Sequence, residues 1–476
     1  MKEYCFLILC AVLWAGDACA AKVKYPGGRQ YIFRYYLHDK QGCGRSIDRP
    51  SQFLSPKAIE RRKRQRLKVD STDLPVSSRY IELLQTEKTE ILGTSRWNNT
   101  VVVRSNDSLH LKLLASLPCV REARMVWQSP DSVEQKEDVR WNVREHFQRW
   151  DSVKYDPYGM SRPQVEMLGG ERLHEIGLRG EGMTIAVLDG GFQSVDRIPC
   201  LQRTKIVGVH NFVPARNSKG TATDEHFFDG IDHGTKVLSV LSADAPEVIL
   251  GTAPEACYWL LRCEDTETEM PVEEDYWAMA AEFADSLGAD IITSSLGYTE
   301  YDNLPGYYHQ YDLDGHTSFI SRTASMLASK GIILVNSAGN SGMGPWKKIT
   351  FPADAENTLT VGALNQQGVN APFSGVGPTQ DMRIKPDVMA LGSPASLISG
   401  RGGVIRDMGT SFSTPIIAGL VACLWQALPN KTAMEIMDLV RQNSSNHEKP
   451  DNVYGYGTPN FWRAYMIGRA NIEVKR

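Results

Sequence analysis

The stretch Thr184-Ile185-Ala186-Val187-Leu188-Asp189-Gly190-Gly191 decides the fold. Thr184 to Leu188 is a short, nearly continuous apolar run with no polar alternation, the pattern of a strand buried on both faces. It ends on a carboxylate followed by two glycines. Similar runs recur downstream, separated by helical stretches. Lys205–Val209, Tyr258–Arg262, Ile291–Ser294 and Ile332–Ser337 read as strands. Thr235–Ser242, Pro271–Ser286, Ser321–Ser329 and the apolar Ser413–Leu428 read as helices. Strands alternating with helices predict an α/β fold, a mostly parallel sheet with helices on both faces. Ligands of such sheets bind beyond the carboxyl ends of the strands, so Asp189 stands where a crevice opens.

Working outward, residues 158–476 form this α/β domain, long enough for one large core. Residues 131–157 are charged and polar without a period of 2 or 3.6, and read as an exposed connector holding a maturation site. Residues 21–130 read as a small α+β domain. Its strands are Tyr31–Leu37, Glu90–Trp97, Thr100–Arg104 and Val120–Trp127; its helices are Ser55–Arg66, Arg79–Leu84 and Leu109–Leu117. Ser55 is placed to cap the first helix, with Pro56 at its first position. The basic run Arg61, Arg62, Lys63, Arg64, Arg66 reads as a solvated helix face. Residues 1–20 read as a secretory signal peptide: Lys2, an apolar run from Phe6 to Ala15, then Ala18-Cys19-Ala20. Lipidation at Cys19 fits poorly, because Gly16 and Asp17 replace the apolar residues such a site wants. No later segment reads as a membrane span, so the expectation is a secreted or periplasmic protein.

The chain has 476 residues, two or three domains' worth at about 100 to 200 residues each. Its 52 basic and 56 acidic residues give a net charge of -4, a balance unsuited to holding nucleic acid. Six cysteines follow the signal: Cys43, Cys119, Cys200, Cys257, Cys263 and Cys423. They show no C-x-x-C pair and no neighbouring histidines, so they read as isolated thiols rather than zinc ligands.

Three islands carry chemistry. Asp189 ends its strand. Asp232-His233-Gly234-Thr235 opens a helix, with Gly234 leaving room around the imidazole. Gly409-Thr410-Ser411-Phe412-Ser413-Thr414-Pro415 opens another, placing Ser411 where unpaired amides and the positive helix end favour developing negative charge. A serine hydroxyl needs a base to take its proton, histidine suits that task, and a buried carboxylate fixes the imidazole. A fourth island, Ser337-Ala338-Gly339-Asn340-Ser341, ends a strand. The Asn340 amide, with the Ser411 N–H, is placed to bind the oxyanion of a tetrahedral intermediate.

Each island alone is a weak signal. Together, in the order Asp189, His233, Ser411, they resemble the subtilisin-like serine proteases, the subtilases, over essentially all of residues 158–476. The resemblance implies a serine endopeptidase acting through an acyl-enzyme on protein or peptide substrates. It implies that Ser295, Leu296 and Gly297 pair with the substrate backbone and wall one side of the pocket for the residue before the cut. Ala338, Gly339 and Asn340 would wall the other. Residues 21–130 resemble the subtilase propeptide, an intramolecular chaperone and inhibitor. No cofactor is required for this chemistry, and no short calcium loop is present, so a structural calcium is left open.

Three residues depart from the family pattern: Gly190 where Thr or Ser is commoner, Lys236 in place of a second histidine, and Ser413 in place of Ala. None removes a catalytic group. A catalytically silent subtilase-fold binding protein is the alternative reading; the intact quartet argues against it. His233 argues against a sedolisin-type acid protease, and predicts activity rising through roughly pH 6 to 7. The acidic cluster Glu264, Asp265, Glu267, Glu269, Glu273, Glu274, Asp275 reads as a solvated loop before a cleft lining that would favour basic side chains.

Overall fold

A computed structural model describes residues 22–25, 28–134, 156–214 and 223–473. Residues 1–20, expected to be a signal peptide, and most of the expected connector at 131–157 lie outside these residues.

The smaller unit is a four-stranded antiparallel sheet built from β1 (Tyr31–Leu37), β2 (Glu90–Ser95), β3 (Thr100–Ser105) and β4 (Val120–Gln128), in the order β2-β3-β1-β4. Helices α1 (Pro56–Arg64), α2 (Ser78–Leu84) and α3 (Ser108–Leu114) accompany it. Ser55 caps α1 as its sequence suggests, accepting from the Ala58 amide at 3.2 Å. One sheet face packs Phe33, Tyr35, Val101 and Val103 on Leu111 and Leu114 of α3. The other face turns Ile32, Val102 and Trp127 toward the larger unit.

The larger unit is built on a seven-stranded, wholly parallel sheet. Its strands are β5 (Thr184–Asp189), β6 (Lys205–Asn211), β7 (Cys257–Arg262), β8 (Ile291–Ser294), β9 (Ile333–Ser337), β10 (Leu359–Asn365) and β11 (Val388–Ser393). Their order is β11-β10-β9-β8-β5-β7-β6. β5 comes first in sequence yet lies inside the sheet, and the chain winds away from it in both directions. That is the switch point where a crevice forms at the strand ends.

Successive β5 side chains face opposite ways, as strand geometry requires. Ile185 and Val187 meet Val237 and Leu241 of α4 (His233–Ser242), with Ile416 and Leu420 of α7 (Thr410–Ala427). Ala186 and Leu188 meet Trp277 and Ala281 of α5 (Val272–Leu287), with Ile320 of α6 (Phe319–Met326). Helices α8 (Ala433–Gln442) and α9 (Phe461–Glu473) close the chain. α7 is the one helix among the described residues long and apolar enough to cross a membrane, and it lies buried against the sheet.

The basic run on α1 is not a solvated face. Arg61 and Arg62 are each 2% exposed, because α5 of the larger unit supplies their counter-charge. Asp285 accepts from Arg61, from Arg62 at 3.0 Å and from Arg96 at 2.7 Å. On the same helix Glu282 takes the Arg96 and Trp97 amides at 2.8 and 3.1 Å. Arg34 grips Asp275 through two hydrogen bonds of 2.7 and 2.6 Å, its guanidinium 3.7 Å from the Phe319 ring centroid. Only the end of the acidic cluster, Glu274 and Asp275, therefore belongs to a buried interface between the two units.

Candidate active site

The carboxyl ends of β5, β7, β8 and β9 and the start of α7 enclose an open cleft of about 750 Å³. His233, Ser295, Leu296, Gly297, Gly339, Asn340 and Ser411 all line it. Two of the residues picked out from sequence stand back from it. Ala338 is fully buried and holds the wall from behind, its carbonyl accepting the Thr350 amide at 3.2 Å. Asp189 lies beneath His233, fully buried.

The Asp189 carboxylate faces His233 Nδ1 with both oxygens, at 2.9 and 3.0 Å. The Gly190 amide also donates to it, at 2.8 Å. A carboxylate on Nδ1 keeps the proton there and leaves Nε2 as the acceptor of the neutral ring. Burial alone would push the imidazole down. The charge and hydrogen bond of Asp189, with Glu264 adding to them, instead lift it to about 9. The window of roughly pH 6 to 7 expected for an ordinary histidine is therefore displaced upward.

Gly234 serves a different neighbour from the one its sequence suggests. A Cβ there would meet the Gly191 carbonyl at 2.6 Å and the Phe192 ring at 2.8 Å. The Gly234 amide also donates to the Gly191 carbonyl at 2.8 Å. The missing side chain lets the start of α4 lie against the turn after β5, which brings His233 over Asp189.

Ser411 is the second residue of α7, among the first four amides that a helix leaves without an internal acceptor. α7 starts at Thr410, so Pro415 falls in its second turn rather than its first. Its missing N–H frees the Ser411 carbonyl. The Ser295 hydroxyl takes that place, donating at 2.9 Å. The proline thus ties the segment after β8 to the serine, a link invisible in linear spacing.

Asn340 is oriented just as firmly. Its Oδ1 accepts from the Thr410 amide at 3.0 Å and the Thr410 hydroxyl at 2.9 Å. Nδ2 is thereby turned away from Thr410, and no partner takes it among the described residues. A free amide donor and a helix-start N–H bordering one cleft form an arrangement able to hold an oxyanion.

The loop after β7 supplies the remaining wall, with Glu264, Asp265, Glu267 and Glu269 all lining the cleft. They lie on a loop as the sequence suggests, but one that lines the cleft: Glu264, Asp265 and Glu269 are half-buried in it and Glu267 is exposed. Burial, then the charge of Asp189, raises Glu264 to about 7. Burial, then Asp302, raises Glu269 to about 7. Burial also raises Glu273 well above the usual carboxylate range. The six cysteines of the described residues are free thiols.

Comparison with known proteins agrees with this geometry. The pattern of the subtilase family matches residues 180–457. A Peptidase S8 propeptide domain of Bacteroidota matches residues 33–141. Subtilisin Savinase of Lederbergia lenta is 27% identical over 306 residues, covering 64% of this chain and 96% of that protein. An alkaline protease of Alkalihalobacillus alcalophilus is 27% identical over 306 residues, covering 64% and 68%. Subtilisin E of Bacillus subtilis (strain 168) is 28% identical over 294 residues, covering 61% and 66%.

Proposed function

The chain belongs to the subtilase family, and on that premise we propose that it is an exported serine endopeptidase, made as a zymogen, whose working residues are Asp189, His233, Ser411 and Asn340. The observation that carries the assignment is the double contact of Asp189 with His233 Nδ1, beside a cleft that also holds Ser411 and Asn340.

In this reading a peptide lies along Ser295–Gly297. Neutral His233 takes the Ser411 proton at Nε2 as Oγ attacks the carbonyl carbon. Asp189 stabilises the imidazolium that forms. The oxyanion is held by Asn340 Nδ2 and the Ser411 N–H. His233 then gives its proton to the leaving amine, and water, activated by the same imidazole, hydrolyses the acyl-enzyme. Each step uses a side chain or amide of this chain.

The N-terminal unit acts as an intramolecular inhibitor, held by the arginine contacts to Asp275 and Asp285. Processing falls within residues 131–157 and frees the mature enzyme. Residues 1–20 direct the chain out of the cytoplasm. The test is labelling of the processed protein with a fluorophosphonate, mapped by mass spectrometry beside a Ser411→Ala control. Label confined to Ser411 is the expected result. An unlabelled, folded, processed protein would overturn the assignment in favour of a silent binding protein.

A further inference from the structure

Glu264 is the acid of the cleft whose position the reaction does not explain. It follows β7, on the far side of β5 from the Ser295–Gly297 and Gly339–Asn340 walls. Its carboxylate lies over Gly190, where a Cβ would meet Oε2 at 2.3 Å and the Ile231 side chain at 3.2 Å. Gly190 is one of the departures from the family pattern, and its missing side chain is what admits Glu264 beside Asp189 and His233.

Glu264, like Glu269 in the same cluster of carboxylates, has no side-chain hydrogen-bond or ion-pair partner among the described residues, whereas the other acids nearby do. Asp265 accepts from the Glu267 amide at 3.2 Å and the Thr268 hydroxyl at 2.8 Å. Glu273 accepts from the Met270 amide at 3.0 Å. Glu274 and Asp275 face Arg34. A half-buried carboxylate without a hydrogen bond, next to a second carboxylate and sharing the charge of His233 with it, is costly and has room for a counter-charge of its own.

We propose that Glu264 is a specificity residue, which receives the ammonium or guanidinium group of a substrate lysine or arginine flanking the scissile bond. The proposal rests on Ser411 being the nucleophile. The cationic side chain is not the one seated between the two pocket walls, because Glu264 lies across β5 from them. A basic group there makes a charge-assisted hydrogen bond with Glu264 and gives its charge a partner. The remaining acids of the loop deepen a potential of one sign along the cleft. One substrate of this chemistry is in the chain itself: the connector carries Lys136, Arg140, Arg144, Arg149 and Lys154.

The test compares matured wild type, Glu264→Gln and Glu264→Lys on a peptide library varied at each position around the cut. The readout is the ratio of kcat/KM for a Lys or Arg peptide to that for its Gln counterpart, which does not depend on how much of each variant folds. Wild type should favour the cation by about tenfold or more at one position, the scale of a close charge pair. Glu264→Gln should bring that ratio near one, and Glu264→Lys should invert it toward acidic peptides. Wild type alone supplies a second measure, because the ratio should shrink as salt screens the pair. Cleavage of neutral and basic peptides alike by wild type would overturn the proposal and leave the peptidase reading standing. So would a cation preference undiminished in Glu264→Gln. Failure to cut any peptide, with Ser411 unlabelled by fluorophosphonate, would overturn both.

Discussion

Asp285 is the residue on which the docking of the two units can be measured. It is fully buried and faces three guanidinium groups, those of Arg61, Arg62 and Arg96. Burial would raise its carboxyl, but the three arginines win and hold it below the usual range. Asp285→Asn removes the charge and keeps the shape. Arg62 retains Asp73 at 2.9 Å, and Arg96 retains the Glu282 carbonyl at 2.8 Å. Among the described residues Arg61 loses its one acidic partner in direct contact and keeps backbone carbonyls, among them that of Lys330 at 3.2 Å. Breaking a buried pair from one side costs about 3 to 5 kcal/mol. With two of the three arginines still partnered, the low end applies. About 3 kcal/mol is a change of roughly 150-fold in the docking equilibrium. The Arg96 and Trp97 amides bond to Glu282 across the interface, so their hydrogen exchange reads its opening. In the full-length Ser411→Ala chain, Asp285→Asn should speed exchange at these two amides by about a hundredfold and leave Ile185–Leu188 unchanged. Adding Arg61→Met should recover part of the loss, because replacing both partners costs less than stranding one. A change under about threefold, or no recovery in the double variant, would refute this account of the docking.

Four other outcomes follow from the site. Because Asp189 and Glu264 lift His233 to about 9 and the base must be neutral, kcat/KM on a neutral peptide should climb with pH through about 9; a limb near 6.5 in a pH profile would contradict this. The same raised imidazole stabilises the fold in full below about pH 6.5, and that contribution should fade as pH rises through about 9, read as the urea midpoint of Ser411→Ala. Asn340→Leu should lower kcat by about a hundred- to a thousandfold with little change in KM, the range that loss of such a donor costs in a subtilisin. Gly234→Ala should cost about 1 to 3 kcal/mol in denaturant unfolding, since its Cβ would meet the Gly191 carbonyl at 2.6 Å and backbone gives way poorly.

The sheet and the four islands were legible because their signals are local. A buried parallel strand is an apolar run, and a strand-end carboxylate or helix-start serine shows its place in a few residues. Strands β10 and β11 escaped notice for the same physical reason. Gly362 interrupts one, and the other offers only the four-residue apolar run Val388-Met389-Ala390-Leu391 before Gly392. What lay beyond reach was whatever depends on a distant partner. The arginines of α1 have the composition of a solvated face, and only α5, more than 220 residues away in sequence, makes burial affordable. The hold of Thr410 on Asn340 spans 70 residues, and that of Ser295 on the Ser411 carbonyl spans 116.

The acidic stretch after β7 shows why composition alone could not sort these residues. Within a dozen positions one run of carboxylates meets three different fates. Asp275 is satisfied by Arg34 of the other unit, and Glu274 lies near that guanidinium while its Oε1 accepts from the Tyr301 and Tyr308 hydroxyls. Glu273 is satisfied by its own helix start and by Tyr298. Glu264, just past the strand end, has no hydrogen-bond partner among the described residues and stands beside the histidine, whose charge it shares with Asp189. Strand ends at a switch point face the crevice, whereas a helix packed on the sheet turns its acids toward whatever covers it. The division predicts separable effects. Gly190→Ala should push the Glu264 carboxylate aside, because its Cβ would meet the flexible end of that side chain at 2.3 Å. The expected result is a weakened cation preference, with Arg96 and Trp97 amide exchange unchanged in the Ser411→Ala chain. Loss of interface protection in Gly190→Ala would show that the two groups of acids act as one, and would refute the division.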